Sequence, residues 1–296
     1  MHIRKLGRLY LDEPSKKLGR SKLNTSTETH TRMIVAAFPG KEVEDICETD
    51  VRRFFGNLRK KGLSNDTYMC YRSVFYALMN FAVEELKVIS DFPKVKPLPK
   101  LKREAFLSPD QISKLLSACD PLRRDILKVL FHTGQRRNTI QLLRIDQVVE
   151  DGTLIRLSGR DTKNGRPIEI PLNEVAQEVV KRRIALSQAL AFENRWVKDV
   201  EFVFCQRDGQ RHLVGKPLKT FQTKRLYAML RSIVMEWFRP HDARHTFASL
   251  HCRAGTDIRM VQKLGGWECI ESMNRYTHIN TPEMVAASQV TVGFGF

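Results

Sequence analysis

Apolar residues recur at helical spacing along most of this chain and switch to strand alternation in one region only. After a basic, weakly periodic stretch over residues 1–30, with one short helix expected around Leu6 to Leu11, Val43 and Ile46 begin a regular pattern. Thr49 then reads as a cap for a helix burying Val51, Phe54, Phe55 and Leu58, and Gly62 ends it. Ser64 or Asn65 caps a longer helix whose buried side carries Tyr71, Phe75, Leu78, Met79, Ala82 and Leu86. Further on, Ser108-Pro109-Asp110-Gln111 is a capping box with proline at the first helical position, leading into Ile112, Leu115 and Leu116. A second helix carries Ile126, Val129, Leu130 and Phe131 and stops at Thr133-Gly134, before an apolar turn with Ile140, Leu142 and Leu143.

Past Asp151-Gly152 the period shortens to two. Leu154-Ile155-Arg156-Leu157 and Ile168-Glu169-Ile170 flank Asn164-Gly165, a strong signal for a tight hairpin with Lys163 at its tip. Helical spacing returns over 173–190, with Lys181, Arg182 and Arg183 expected on an outer face. Phe202-Val203-Phe204 reads as a short buried strand, 207–217 as a polar loop, and Lys219 to Phe238 as another helix. Pro240 precedes a helix starting at His241 and running through Ala248, Leu250 and Ala254 to Gly255. Thr256 reads as the cap of a last helix with Ile258, Val261 and Leu264 inward, ended by Gly265-Gly266. Beyond Tyr276, a short helix is expected from Pro282 to Ser288, and the terminal Val-Gly-Phe-Gly-Phe is too apolar for a free tail.

Between the two helical regions, Asp91 to Arg103 holds prolines 93, 97 and 99 alternating with Lys94, Lys96, Lys100, Lys102 and Arg103. Extended, basic backbone of this kind reads as a strap between domains. The expected organisation is a helical domain over 1–92, a basic Pro-rich linker over 93–104 and a second domain over 105–296. The fold class is mainly α with a small β-sheet: an all-helical N-terminal domain followed by an α+β domain. With 296 residues and 42% apolar positions, both can hold a core.

Charge narrows the partner. Fifty Lys and Arg against 33 Asp and Glu leave a net +17, which asks for a polyanion, with nucleic acid first. A basic membrane-surface protein is the competitor, but no stretch reads as a bilayer span or as a signal peptide. The six cysteines (47, 70, 119, 205, 252, 269) are scattered without a C-x-x-C pair. Neither zinc nor a disulfide framework is indicated, and reduced thiols in a cytoplasm fit best.

Candidate chemistry gathers near the C-terminus. His241 and Arg244, three apart, share one helix face; Trp267 follows a glycine turn; Tyr276 stands in Arg275-Tyr276-Thr277-His278. Taken singly, each reads as ordinary helix surface or core. As a set they suit a phosphodiester attacked by a phenol, whose pentavalent state needs guanidinium and N–H donors on its non-bridging oxygens. A phenol, with its free pKa of about 10, also needs a base or a cationic field beside it.

His-x-x-Arg-His-Thr, Leu-Gly-Gly-Trp and Arg-Tyr-Thr-His together resemble the C-terminal signature of the tyrosine recombinases, the lambda-integrase family. Leu-Gly-Gly-Trp stands where Leu-Gly-His is commoner and is similar to the variant in integrases of phages and other mobile elements. Thr-Gly-x-Arg at 133–136 resembles the first active-site box, with Arg136 its arginine, and Thr162-Lys163-Asn164-Gly165-Arg166 matches the hairpin that carries the family's lysine. The resemblance implies that Tyr276 attacks DNA to give a 3′-phosphotyrosyl bond and a free 5′-hydroxyl. Arg136 and Arg244 would clamp the non-bridging oxygens, Lys163 would protonate the leaving oxygen, His241 would shuttle the tyrosine proton and Trp267 would donate its indole N–H. No cofactor is implied, neither ATP nor metal, because the ester stores the bond energy.

The N-terminal domain resembles the core-site DNA-binding domain by position. Its rim supplies Arg52, Arg53, Lys60, Lys61 and Arg72 as DNA contacts, joined by strap residues Lys94, Lys96, Lys100 and Lys102 and by Arg137 beside the first active-site arginine. The implied partners are double-stranded DNA bearing a specific recombination site, three further copies in a homotetramer on DNA (a monomer or weak dimer when free), and DNA-bending accessory proteins. In the family the C-terminal segment docks on a neighbouring protomer. Two departures stand out: Thr139 occupies a position where an acid is usual, and Gly266 lengthens the turn before Trp267. The leading function is a site-specific integrase or recombinase of a mobile element working through a Holliday junction. A dimer-resolving or inversion recombinase, a type IB topoisomerase and a DNA-binding regulator with a decayed site are the alternatives.

Overall fold

The computed structural model describes residues 1–12, 25–99, 106–162, 165–193, 197, 200–208 and 210–276. It divides into two compact units, Met1–Arg103 and Glu104–Phe296. Helices dominate both, and one small sheet lies in the second.

The first unit packs four α-helices: α1 (Ile3–Asp12), α2 (Thr25–Ala36), α3 (Glu48–Lys60) and α4 (Asn65–Asn80). Phe38, Phe54, Phe55, Tyr71, Phe75 and Leu78 are central to its buried core. Ser64 caps α4, its hydroxyl accepting from the Thr67 N–H at 3.2 Å. The cap of α3 is Cys47, not Thr49; the Asp50 carboxylate accepts the Cys47 N–H at 3.2 Å and closes a capping box. Helix α2 falls partly in the stretch expected to be loop. Its run Thr25-Ser26-Thr27-Glu28-Thr29 hides the apolar period, since one buried position is Thr31, whose hydroxyl bonds the Thr27 carbonyl at 2.8 Å.

The expected linker begins as part of this unit. Phe92 is buried, and the Tyr76 hydroxyl both accepts the Val95 N–H at 2.9 Å and donates to the Val95 carbonyl at 3.2 Å. Arg72 Nε donates to the same carbonyl at 2.7 Å, and the Asn65 amide reaches the Pro99 carbonyl at 3.0 Å. The basic strap is therefore held along α4 as far as Pro99. Lys100 and Lys102 lie outside the described residues.

In the second unit, α5 (Pro109–Ala118) starts at the Ser108 capping box as expected, with Gln111 Oε1 accepting the Ser108 N–H at 2.9 Å. Helix α6 (Pro121–Thr133) runs through the centre of the core, and α7 (Arg137–Gln141) is a short turn of helix. The sheet is antiparallel in the order β1 (Val148–Val149), β2 (Leu154–Leu157), β3 (Ile168–Pro171), with Ile155 opposite Ile170 and Leu157 opposite Ile168. β2 and β3 pair antiparallel as the expected hairpin requires, and the Gly165 N–H bonds the Thr162 carbonyl at 3.4 Å. After Leu157 the chain leaves the ladder into a 3-10 turn, Gly159–Asp161, where Asp161 accepts the Ser158 hydroxyl at 2.6 Å and pairs with Arg144 at 3.0 Å. That local capping competes with continued pairing. Lys163 and Asn164 lie outside the described residues.

Helix α8 (Glu174–Glu193) packs on α6. Arg183 is not on its outer face: it is 5% exposed and pairs with buried Asp125 at 2.5 Å, while Arg182 reaches the other oxygen at 2.8 Å. Removing either buried partner would strand a charge, so the pair is structural. Val203 and Phe204 are buried as expected, but 202–205 makes isolated bridges to Arg144 and Pro217, not a strand. Helix α9 is shorter than expected (Lys224–Ser232), because the Thr223 hydroxyl caps it at Leu226. Helix α10 spans Asp242–Arg253 with His241 at its N-cap, and α11 spans Ile258–Gly265. Asp257, not Thr256, caps α11 through the Arg259 and Met260 N–H groups. The Pro282–Ser288 helix and the terminal segment lie outside the described residues. No helix among the described residues is long and apolar enough to cross a membrane.

Candidate active site

Three chain turns converge where α6, α10 and α11 end or begin. Helix α6 closes at Gly134, whose φ of 62° is left-handed and whose missing Cβ leaves room for the Phe247 ring of α10. Any Cβ there would sit 2.3 Å from that ring. The turn delivers Gln135, which donates to the Leu264 carbonyl of α11 at 2.8 Å, and then Arg136 as the N-cap of α7. The first arginine is thereby fixed against the far end of the signature, 129 residues along the chain.

Arg244 sits at the meeting point. Its guanidinium donates to the carbonyl of Gly134 at 2.7 Å, to that of Gly265 and to that of Gly266 at 3.3 Å. These are the orphan carbonyls of helix ends, which suit a cation. The side chain is 3% exposed, and among the described residues no carboxylate pairs with it. Burial, and then the like charge of Arg136, push its pKa down to about 9, so at neutral pH it remains a cation in want of a counter-charge. An anion at Arg136 would offset the second cause.

Trp267 roofs this arginine. Gly266 ends α11 in a left-handed cap, and the chain folds back so that the indole lies over the Arg244 guanidinium at 3.7 Å. The indole also occupies the space of a Gly265 side chain, since a Cβ there would meet its ring at 1.8 Å. The extra glycine before Trp267 is thus used by the packing. Arg136 lies across from Glu268, Nη2 to Oε1 3.8 Å, on the wall of a cleft of about 880 Å³. Thr139, Arg144, Arg166 and Trp267 line the same cleft.

Tyr276 closes a 3-10 segment, Ile270–Tyr276, and is 8% exposed. Its ring packs with Phe247, Ala248, Val261 and Met273, and meets Trp267 edge-on at 6.1 Å between centroids. Its hydroxyl hydrogen-bonds His245 Nδ1. His241, expected to serve the phenol, is exposed at the α10 N-cap and lies edge-to-face with His245 at 4.9 Å. His245 was legible only as part of the signature string. Its spacing, four residues past His241 on the same helix, is the signal that places it on the shared face.

The structure therefore brings Arg136, His241, Arg244, Trp267 and Tyr276 into one neighbourhood, joined by Gln135, His245 and Glu268. Of the expected DNA contacts, Arg52 and Arg53 are exposed and pair with Glu48 at 2.7 Å and Asp50 at 3.1 Å. Lys60, Lys61 and Lys96 are exposed; Lys94 pairs with Asp91 and lies 3.5 Å over the Phe92 ring. Arg72 is half-buried and stacks on Tyr76 at 4.2 Å. Arg137 is half-buried and bonds Asn138 Oδ1 at 2.9 Å.

The phage integrase family profile matches residues 105–283. The integrase of Salmonella phage P22 is 29% identical over 214 residues, covering 72% of this chain and 54% of the phage protein, so the chain spans about half of that relative. The tyrosine recombinase XerC of Oceanobacillus iheyensis is 29% identical over 251 residues, 80% of this chain and 78% of XerC. Among solved structures, a Tn1549 transposon integrase in complex with a circular intermediate DNA superposes with a TM-score of 0.72 at 17% identity, covering 96% of this chain and 98% of that one. A lambda integrase dimer bound to a core site gives 0.64 at 16% identity, over 91% and 76%. At such identities those two show likeness of fold. With the family profile spanning more than half of the sequence, the chain belongs to the phage integrase family, the tyrosine recombinases that cut and rejoin DNA.

Proposed function

We propose that this protein is a site-specific DNA recombinase of a mobile element, with Tyr276 as its nucleophile and Arg136 and Arg244 as its phosphate clamp. The observation that carries this is the buried Arg244, held by three helix-end carbonyls with Trp267 over its face and, among the described residues, no carboxylate paired with it. A cation so placed is preorganised for charge that develops in the transition state, and it requires no reorganisation at that moment. Tyr276 attacks phosphorus, leaving a 3′-phosphotyrosyl ester and a free 5′-hydroxyl. Lys163, on the β2–β3 connection, protonates the departing oxygen. DNA is the partner on charge grounds, and similar structures, among them a lambda integrase dimer bound to a core site, are complexes with DNA. Arg52, Arg53, Lys60, Lys61, Lys94 and Lys96 of the first unit grip its backbone with Arg137. Exposed pairs such as Arg52–Glu48 are weak enough to exchange for phosphate. Strand exchange at two sites engages four protomers.

A nicked suicide substrate tests this. The full-length protein forms a covalent protein–DNA adduct, and Tyr276→Phe forms none. Adduct with Tyr276→Phe would reassign the nucleophile. Loss of Arg136 or Arg244 to alanine lowers adduct formation by about two to three decades; an effect of about tenfold or less would remove them from the clamp. Plasmids carrying two sites in direct or inverted orientation separate integration from resolution and inversion by their products.

A further inference from the structure

We propose that His245 is a catalytic residue of this enzyme, the group that takes the proton from the Tyr276 hydroxyl as it attacks DNA. The proposal rests on Tyr276 being the nucleophile, as argued above.

Geometry singles out His245. Its Nδ1 is on the phenolic oxygen, with ring centroids 5.7 Å apart. Arg244, the neighbouring member of the signature, carries only donors and cannot accept a proton, and its Nη1 and Nη2 N–H groups point at backbone carbonyls. Phe247, Met273 and Trp267, which pack around the Tyr276 ring, are apolar or donor-only and cannot take the proton. His241 lies one helical turn toward the α10 N-terminus, edge-to-face with His245 at 4.9 Å and exposed. From His245 it is placed to pass the proton onward to solvent. A phenolate forming on Tyr276 also faces the positive end of α10 and the Arg244 guanidinium, which favour the anion.

The step balances without a co-reactant. The phenolic proton passes to Nδ1 of an imidazole whose Nε2 carries the hydrogen. The freed pair on Oη forms the new P–O bond. The P–O5′ bond breaks with its pair on the 5′ oxygen, which Lys163 protonates in the reading above. Religation runs the same path backwards, with the imidazolium returning its proton to the phenolic oxygen.

Substitution of His245 by asparagine separates proton transfer from positioning, because the asparagine amide reaches the place of Nδ1 and keeps a hydrogen bond to the hydroxyl but takes up no proton. The full chain is assayed on two nicked suicide substrates, one with the ordinary phosphate and one with sulfur as the 5′-bridging atom. Sulfur leaves without needing a proton, so it restores variants lacking the leaving-group acid and not those lacking the nucleophile's base. For H245N, DNA binding by gel shift is retained, and adduct formation falls about a hundredfold or more on both substrates. The acid limb that the wild type shows within about pH 5 to 8 disappears. A rate within about tenfold of wild type on the ordinary substrate, restoration by sulfur, or an unchanged pH profile each overturns the proposal. Should H245N fail to fold, H245Q is assayed in its place: a loss of about a hundredfold on both substrates supports His245, and a rate within about tenfold of wild type overturns it. Tyr276→Phe is run alongside. Adduct with that variant would sink the nucleophile and His245 together, whereas no adduct with it and a wild-type rate for H245N would sink His245 alone.

Discussion

Arg136 and Glu268 face each other across 3.8 Å, with 37% and 56% of their side chains exposed. Thr139 stands where resemblance to the family leads one to expect an acid; here the carboxylate beside the first arginine comes from the residue after Trp267. So exposed a pair contributes only about 0–1 kcal/mol to stability. Its consequence is electrostatic, because Glu268 occupies the side of the guanidinium that a DNA phosphate would use. Glu268→Gln should leave the melting temperature essentially unchanged and tighten binding to core-site DNA by about three- to tenfold, as one repulsion near the phosphate disappears. Gel shift at fixed salt beside thermal unfolding reads both. Weaker binding together with slower adduct formation would show that Glu268 holds Arg136 in place.

Gly134 ties the two arginine boxes together, since its carbonyl carries Arg244 and its bare Cα admits Phe247. Gly134→Ala meets two penalties: about 1–2 kcal/mol for a side chain at φ 62°, and about 1–3 kcal/mol for overpacking against the ring. Gly255 provides the comparison, with φ 77° and no atom within 4 Å of where a Cβ would be, so Gly255→Ala meets the backbone penalty alone. Urea unfolding should rank Gly134→Ala well below Gly255→Ala. Adduct formation should fall only for the former, because a displaced 134 carbonyl displaces Arg244. Equal losses of stability would mean that the Phe247 contact relaxes freely.

What the sequence made legible follows the range of the forces involved. Caps and apolar periods act within a turn of helix, so α4, α5 and α6 stand nearly where Ser64, Ser108 and Thr133-Gly134 place them. Positions decided by distant partners were not legible. Arg183 looks like helix surface until Asp125 arrives from another helix, and nothing local to Arg72 announces the Val95 carbonyl that its Nε holds. Between β2 and β3, Asp161 prefers Ser158 and Arg144 to the ladder, a choice made by the distant Arg144 that strand alternation does not show. In the site, signature spacing brought out Arg136, Arg244, Trp267 and Tyr276. The imidazole that meets the phenol depends on the fold after Trp267: His245 Nδ1 is on the Tyr276 hydroxyl, and His241 lies edge-to-face beside it.

Arg72 carries the last prediction, because its two readings differ in what is measured. In the structure its Nε holds the Val95 carbonyl at 2.7 Å while its guanidinium covers Tyr76, so it pins the strap to α4. Arg72→Ala removes a charge-assisted hydrogen bond and should lower the stability of the first unit by about 1–2 kcal/mol. It should also free Asp91–Pro99, so that trypsin cuts after Lys94 about tenfold faster under native conditions. The salt dependence of DNA binding should hardly change. Lys96 is exposed, and Lys96→Ala should do the reverse: proteolysis at Lys94 stays slow, and the slope of log K against log salt falls by about 0.9, the share of one phosphate contact. If Arg72→Ala lowers the slope by as much and leaves the strap protected, Arg72 grips DNA as its place on the basic rim suggested, and the Val95 contact is incidental.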